Sequence, residues 1–137
     1  MSKRPMPRFF EPDTQAFWDA TKDQQLVYQQ CNTCNEVVFT PRAHCTNCGS
    51  SDLAQKVSKG EGTVYTYSVV RQNRNPAFAD LGAYALAYID LDEGFRMLSN
   101  VVGVANPLTD VKVGQRVKVM FEKQDEGEYL IPLFTPI

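Results

Sequence analysis

The sequence predicts a mainly β protein in which a short N-terminal helix and a four-cysteine metal ribbon precede a five-stranded barrel. Three observations predict it. All four cysteines of the 137-residue chain fall in two C-x-x-C pairs between Cys31 and Cys48, and each such turn aims two sulfurs at one ion. After Gly62, five runs rich in β-branched and aromatic residues are separated by turn signals. No long amphipathic helical pattern interrupts them.

Taken in order, residues 1–12 are rich in proline and charge and predict an extended arm. Asp13 or Thr14 is placed to cap a short helix through about Asp23, anchored by Phe17 and Trp18. "LVYQQ" (26–30) and "EVVFTP" (36–41) flank the first cysteine pair and predict a hairpin. "GSSDLAQKVSKGEG" (49–62) is polar and glycine-containing, and is expected to be a connection. The barrel strands are then "TVYTYSVV" (63–70), "AYALAYIDL" (83–91), "FRMLSNVVGV" (95–104), "RVKVMFEK" (116–123) and "YLIPLF" (129–134). "DEG" (92–94) marks a hairpin turn, and Pro132 marks an edge or a strand end. Five short strands so punctuated predict an OB-fold barrel. The expected division is 1–25 for arm and helix, 26–55 for a rubredoxin-like zinc ribbon, and 56–137 for the barrel.

The pattern C-x2-C-x10-C-x2-C offers four thiolates. Four sulfurs close a tetrahedral zinc site and leave no position for water, so the predicted ion is one structural zinc at Cys31, Cys34, Cys45 and Cys48. Gly49 follows the second pair and Asn35 the first. Both residue types tolerate the positive φ that such a turn often needs. A disulfide pair or a rubredoxin-like iron centre is the alternative use of the same cysteines. His44, the only histidine, reads as an exposed loop residue. Asp90 and Asp92 read as solvated turn acids, and "GEG" (60–62) lacks the lysine and helix of a phosphate loop. With every thiol on zinc, no nucleophile remains for cysteine–histidine chemistry.

Charge weighs against nucleic acid. The net charge is −2, and residues 56–123 carry nine basic against seven acidic side chains, whereas nucleic-acid affinity rests on clustered positive charge. No segment reaches the roughly 20 apolar residues that span a membrane. The N-terminus lacks the apolar core of a secretory signal, so a reducing, cytoplasmic compartment is expected.

The order of parts is specific. A helix bearing "FW", a ribbon containing "TPRAHC", then "GEGTVYTYSVV", "ALAYIDLDEGFRMLSNVVG", "VKVGQRVKVMFE" and "IPLFTP" follow in sequence from Phe17 to Pro136. The chain thereby resembles the zinc-ribbon and OB-fold family known as domain of unknown function 35. The resemblance implies a small non-catalytic subunit that binds a thiolase-like or lipid-transfer-protein-like enzyme acting on acyl-CoA, forming a hetero-oligomer. The favoured version is retro-aldol cleavage of steroid side-chain CoA thioesters. An acyl-CoA thiolase or synthase is the alternative partner. It implies zinc at Cys31, Cys34, Cys45 and Cys48, a CoA channel shared with the partner, and no catalytic residue in this chain.

Contact candidates follow. Trp18 either pins its helix or meets a partner. The twelve-residue loop 71–82 offers Arg71 and Arg74 to phosphate or carboxylate and Phe78 as an anchor, because long unstructured loops are uncommon unless used. Tyr65 and Tyr67 are read as sharing one strand face, as core or interface, or as stacking platforms in a nucleic-acid barrel. Arg42, at the ribbon tip, is set either toward the 3′-phosphate of CoA or toward solvent. A free acyl-CoA carrier would need a pocket that a barrel of this size normally fills with side chains. In a filter-binding assay at low salt, the protein is expected not to retain single-stranded oligonucleotide. Tight, salt-sensitive retention would reinstate the nucleic-acid reading.

Overall fold

The structure is a computed structural model and describes residues 3–8 and 12–137. A 3-10 turn, Pro12–Thr14, runs directly into helix α1, Gln15–Thr21. The expected cap is therefore not made: Thr14 already has helical backbone angles and its side chain makes no capping hydrogen bond. The helix stops where Gln24 turns to φ 56° and the Thr21 hydroxyl donates back to the Trp18 carbonyl at 2.6 Å.

Strands β1 (Val27–Cys31), β2 (Val37–Val38) and β3 (Leu53–Val57) form a three-stranded sheet in the order β2-β1-β3. The β1–β2 hairpin is the predicted one. β3 is a correction, because residues 49–62 are not merely a connection: Leu53–Val57 pairs with β1 over its whole length. As an edge strand with mostly exposed side chains, it lacks the apolar alternation that signals a strand.

Five strands close into a barrel: β4 (Glu61–Val70), β5 (Tyr84–Leu91), β6 (Arg96–Val101), β7 (Arg116–Glu122) and β8 (Ile131–Pro136). Their order is β4-β5-β6-β8-β7, with β7 returning to β4 at Glu61↔Lys118 and Thr63↔Arg116. Only β6 and β8 run parallel. This is the five-stranded OB-type barrel the sequence predicts. Gly62 stands where β4 is shared between β5 and β7, and a Cβ there would lie 2.5 Å from the Asp90 carbonyl oxygen. Pro132 is the second residue of β8, so its strand-end position holds, but β8 is no edge, since β6 and β7 flank it. β6 meets β8 at Phe134, beyond the proline, and the Pro132 carbonyl accepts the Ser99 hydroxyl at 2.9 Å. A one-turn helix α2, Pro107–Asp110, which the sequence reading did not anticipate, is capped by the Asn106 side chain.

The barrel core is filled by Val64, Ala85, Ala87, Ile89, Val101, Val117 and Phe134, all buried. β5 carries its small residues inward and leaves Leu86 and Tyr88 outward. The same hydrophobic cluster continues out of the barrel into the ribbon and helix through Leu26, Val27, Tyr28, Phe17 and Ala20. Phe95 is the hinge of this continuity. It stacks on Tyr28 with ring centroids 5.1 Å apart and meets Phe39 at 4.7 Å, while Phe39 in turn meets Phe17 at 5.6 Å. Polar contacts fix the same junction: Ser58 donates its amide to Leu26, and the Glu93 carboxylate accepts both the Ser58 hydroxyl at 2.7 Å and the Lys59 amide at 2.8 Å.

Residues 3–8 pack against the barrel through Arg4, which also borders the groove beside Trp18 and Phe39. Arg4 donates its amide to the buried Gln124 side chain at 2.9 Å and its Nε to Glu122 at 3.1 Å, and its guanidinium sits 5.7 Å from the Phe78 ring centre. Phe95→Ala should lower stability by roughly 3–5 kcal/mol, as for other buried Phe truncations. Urea unfolding of the full chain measures this, and a loss below about 1 kcal/mol would show that ribbon and barrel do not share a core.

Candidate metal centre

Two turns of near-identical build present the cysteines. In the first, the Asn35 amide donates to the Cys31 carbonyl at 2.9 Å, and the Cys31 amide donates to Glu36 at 2.8 Å. In the second, Gly49 donates to Cys45 at 3.0 Å and Cys45 donates to Ser50 at 2.7 Å. Asn35 has φ 64° and Gly49 φ 76°, the left-handed geometry expected for those two residues. The third residue of each turn aims its amide at the first sulfur: Thr33 at Cys31 Sγ and Asn47 at Cys45 Sγ, both at 3.4 Å.

The four sulfurs lie within 4.8 Å of one another. Across the turns, Cys31 and Cys48 stand 3.6 Å apart, as do Cys34 and Cys45. A tetrahedron with zinc–sulfur bonds of about 2.3 Å has edges of roughly 3.8 Å, so the set fits a single structural zinc ion. A disulfide requires about 2.05 Å, and the four cysteines are free thiols here. Cys31 and Cys45 are buried, Cys34 is half-buried and Cys48 is exposed.

The electrostatics point the same way. The Asn47 side-chain amide and the Glu36 backbone amide, both hydrogen-bonded to Cys34, pull its thiol down to about 6. At Cys48 the hydrogen bond from the Ser50 backbone lowers the pKa, but partial desolvation and the three neighbouring sulfurs outweigh it and push the thiol up to about 12. Four negative sulfurs cannot share so small a space without a cation, and a coordinating metal ion deprotonates its thiols outright. His44 is exposed and stands outside the cluster.

The acids singled out in the sequence are not free. Arg96 grips Asp90 with bonds of 2.6 and 3.1 Å, and Arg116 grips Asp92 with two bonds of 2.7 Å. The Arg116 hydrogen bonds hold the Asp92 carboxyl below its usual range. Neither carboxylate is poised as a general base.

The contact candidates separate. Trp18 is half-buried, edge-on to Phe17 at 5.1 Å and to Tyr129 at 6.5 Å, and so pins its helix to its own chain. It also forms one wall of a groove of about 430 Å³, whose other walls include Phe39, Pro41, Leu86, Leu98 and Ile131. Arg42 is exposed beside that groove, with its backbone clamped to Gln29 by bonds of 2.8 and 3.0 Å. Arg71 and Arg74 are exposed in the loop before β5. Phe78 is no free anchor, since it stacks on Tyr84 with centroids 6.0 Å apart and lies under Arg4. Tyr65 and Tyr67 do not share a face, which corrects the strand reading. The register of β4 shifts between Val64 and Thr66, and this bulge leaves Tyr65 exposed beneath the Arg96 guanidinium while Tyr67 turns to the core.

Sequence reasoning missed the outward face of β5 and β6. Leu86, Tyr88 and Leu98 are all exposed there, on the barrel face that nucleic-acid-binding OB-folds use. Here that face is apolar, its Arg96 is neutralised by Asp90, and the neighbouring loop 123–130 carries Asp125, Glu126 and Glu128. Such a face suits a protein surface better than phosphates. Among the described residues no helix is long and apolar enough to cross a membrane.

Comparison with known proteins places both halves. Residues 18–54 match the family model "ChsH2, rubredoxin-like zinc ribbon domain", and residues 55–122 match "ChsH2, C-terminal OB-fold domain". A "probable enoyl-CoA hydratase alpha subunit" from Thermomonospora curvata is 34% identical over 88% of this chain; the chain spans only 37% of that relative's length. A "DUF35 domain-containing scaffold protein" from Methanocaldococcus jannaschii is 31% identical over 81% of this chain and 79% of the relative. Among solved structures, a chain of an "Ltp2-ChsH2(DUF35) aldolase" superposes with a TM-score of 0.82 at 32% identity, covering 97% of this chain and 98% of that one.

Cys31→Ser is expected to abolish zinc retention and loosen the ribbon while the barrel stays folded. Elemental analysis together with limited proteolysis checks both. One zinc per chain with unchanged protease resistance would contradict the site.

Proposed function

The chain belongs to the ChsH2-type zinc-ribbon and OB-fold family, domain of unknown function 35, and on that premise we propose that it is a non-catalytic accessory subunit of an enzyme acting on acyl-CoA carbon–carbon bonds. It binds and stabilises a thiolase-fold, lipid-transfer-protein-like partner in the cytoplasm. The favoured reaction of the assembly is retro-aldol cleavage of a steroid side-chain CoA thioester. The observation that carries this reading is the near full-length correspondence to a chain of an "Ltp2-ChsH2(DUF35) aldolase".

The residues agree with it. The metal site is closed by four thiolates and has no position for substrate. Asp90 and Asp92 are committed to arginines. What the chain presents instead is surface: the exposed Leu86, Tyr88 and Leu98 run into the groove walled by Trp18, Phe39 and Pro41. An apolar centre of this kind is what a partner subunit covers. Arg42, Arg71 and Arg74 stand ready for carboxylates of the partner or phosphates of a CoA held at the shared interface. The family resemblance also allows a second reading, in which the partner is an acyl-CoA thiolase or synthase.

Co-expression with a thiolase-like protein is expected to give one stable hetero-oligomer in size-exclusion chromatography with light scattering, with the small subunit silent alone. Leu98→Arg should weaken that complex at least about tenfold, because it places an unpaired charge in a buried apolar contact. It should leave the melting temperature of the isolated subunit unchanged, since Leu98 is 52% exposed. Independent migration of the two proteins, with the partner fully active by itself, would end the proposal.

A further inference from the structure

One side chain reaches across the cysteine cluster from the opposite turn. Asn47 is the third residue of the second C-x-x-C pair, and its side-chain amide stands 3.5 Å from Cys34 Sγ, a cysteine of the first pair. The same residue donates its backbone amide to Cys45 Sγ at 3.4 Å. Asn47 thus places donors on two sulfurs, one in each turn. Its counterpart in the first turn does not. Thr33 donates its backbone amide to Cys31 Sγ, but its hydroxyl pairs with the Ser50 hydroxyl at 2.9 Å and reaches no sulfur.

The asymmetry follows the burial of the site. Cys31 and Cys45 are enclosed, and each has its own turn's amide. Cys34 is half-buried and is the sulfur that Asn47 reaches from outside its own turn. A donor on a metal-bound thiolate disperses its charge and fixes the direction of its lone pairs, and partners of this kind typically govern metal affinity by tenfold to a hundredfold. Because the donor comes from the opposite turn, it also ties the two halves of the site together independently of the ion.

We propose that Asn47 is a positioning residue for the metal, holding Cys34 Sγ in place by an amide–sulfur hydrogen bond across the two turns. Shape alone does not supply this function. Asn47→Asp keeps the outline but removes the donor and adds a negative charge near thiolates. Asn47→Leu removes the donor without adding a charge. Asn47→Gln keeps a donor on a longer arm.

The full-length purified protein is loaded with zinc, then competed with a chromophoric chelator. It is separately loaded with cobalt(II), whose sulfur-to-metal charge-transfer bands report electron density on the thiolates. Asn47→Leu and Asn47→Asp should each lose about tenfold to a hundredfold in zinc retention, and their cobalt bands should move to lower energy. Asn47→Gln should recover both toward the parent. If Asn47→Leu does not fold, Asn47→Asp carries the test by itself. Parental zinc retention and parental cobalt bands in Asn47→Asp would overturn the proposal, as would a loss of melting temperature with no change in the bands.

Discussion

Mutual repulsion among four converging thiolates is the constraint on which the ribbon depends. Sulfurs packed within 4.8 Å of one another stay together only if they keep their protons or share a cation. The two exposed-side cysteines show the conflict: Cys34 is pulled down to about 6 and Cys48 pushed up to about 12. A divalent ion removes it, and metal binding by such a site is itself folding free energy. The three ribbon strands hang on this point. The first turn ends β1 and starts toward β2, and the second precedes β3, so the three ribbon strands are registered by the cluster they surround.

The ribbon then hands its order to the barrel through aromatic rings. β1 carries Tyr28 against Phe95, and the segment after β2 carries Phe39 against both Phe95 and Phe17. The helix, the ribbon and the barrel therefore share one core, and the groove along their seam has a defined shape. The Glu93 contacts with Ser58 and Lys59 hold that seam from the polar side. The obvious candidates for chemistry are committed elsewhere: the four thiols converge as one metal-binding set, and Asp90 and Asp92 pair with arginines. What the barrel and ribbon turn outward includes apolar side chains on β5 and β6 and the exposed Arg42, Arg71 and Arg74, and these are the materials of an interface.

Local signals were legible in the amino-acid sequence, and side-of-sheet signals were not. The ligand set, and the left-handed Asn35 and Gly49, follow from spacing and residue type within a few positions. The five barrel strands follow from their β-branched and aromatic content. β3 escaped notice because an exposed edge strand needs no apolar face. The split of Tyr65 from Tyr67 depends on a bulge, which shifts alternation by one residue without a composition signal. β5 shows small and large residues in alternation, yet only the narrow bore of a closed barrel decides that the alanines go inside. The role of Arg4 depends on Gln124 and Glu122, more than a hundred residues away, and no window of sequence contains both. Asn47 lay within the motif itself, and an amide at the third position of a C-x-x-C turn is a signal that can be sought.

Hydrogen exchange of the full-length protein before and after zinc is stripped by a chelator tests the dependence of the ribbon on its ion most directly. Amides of β1, β2 and β3 should lose their protection on stripping, with those of β4 to β8 largely retained and the amides around Phe95 intermediate. Unchanged protection across Val27–Val57 after complete zinc removal would contradict it.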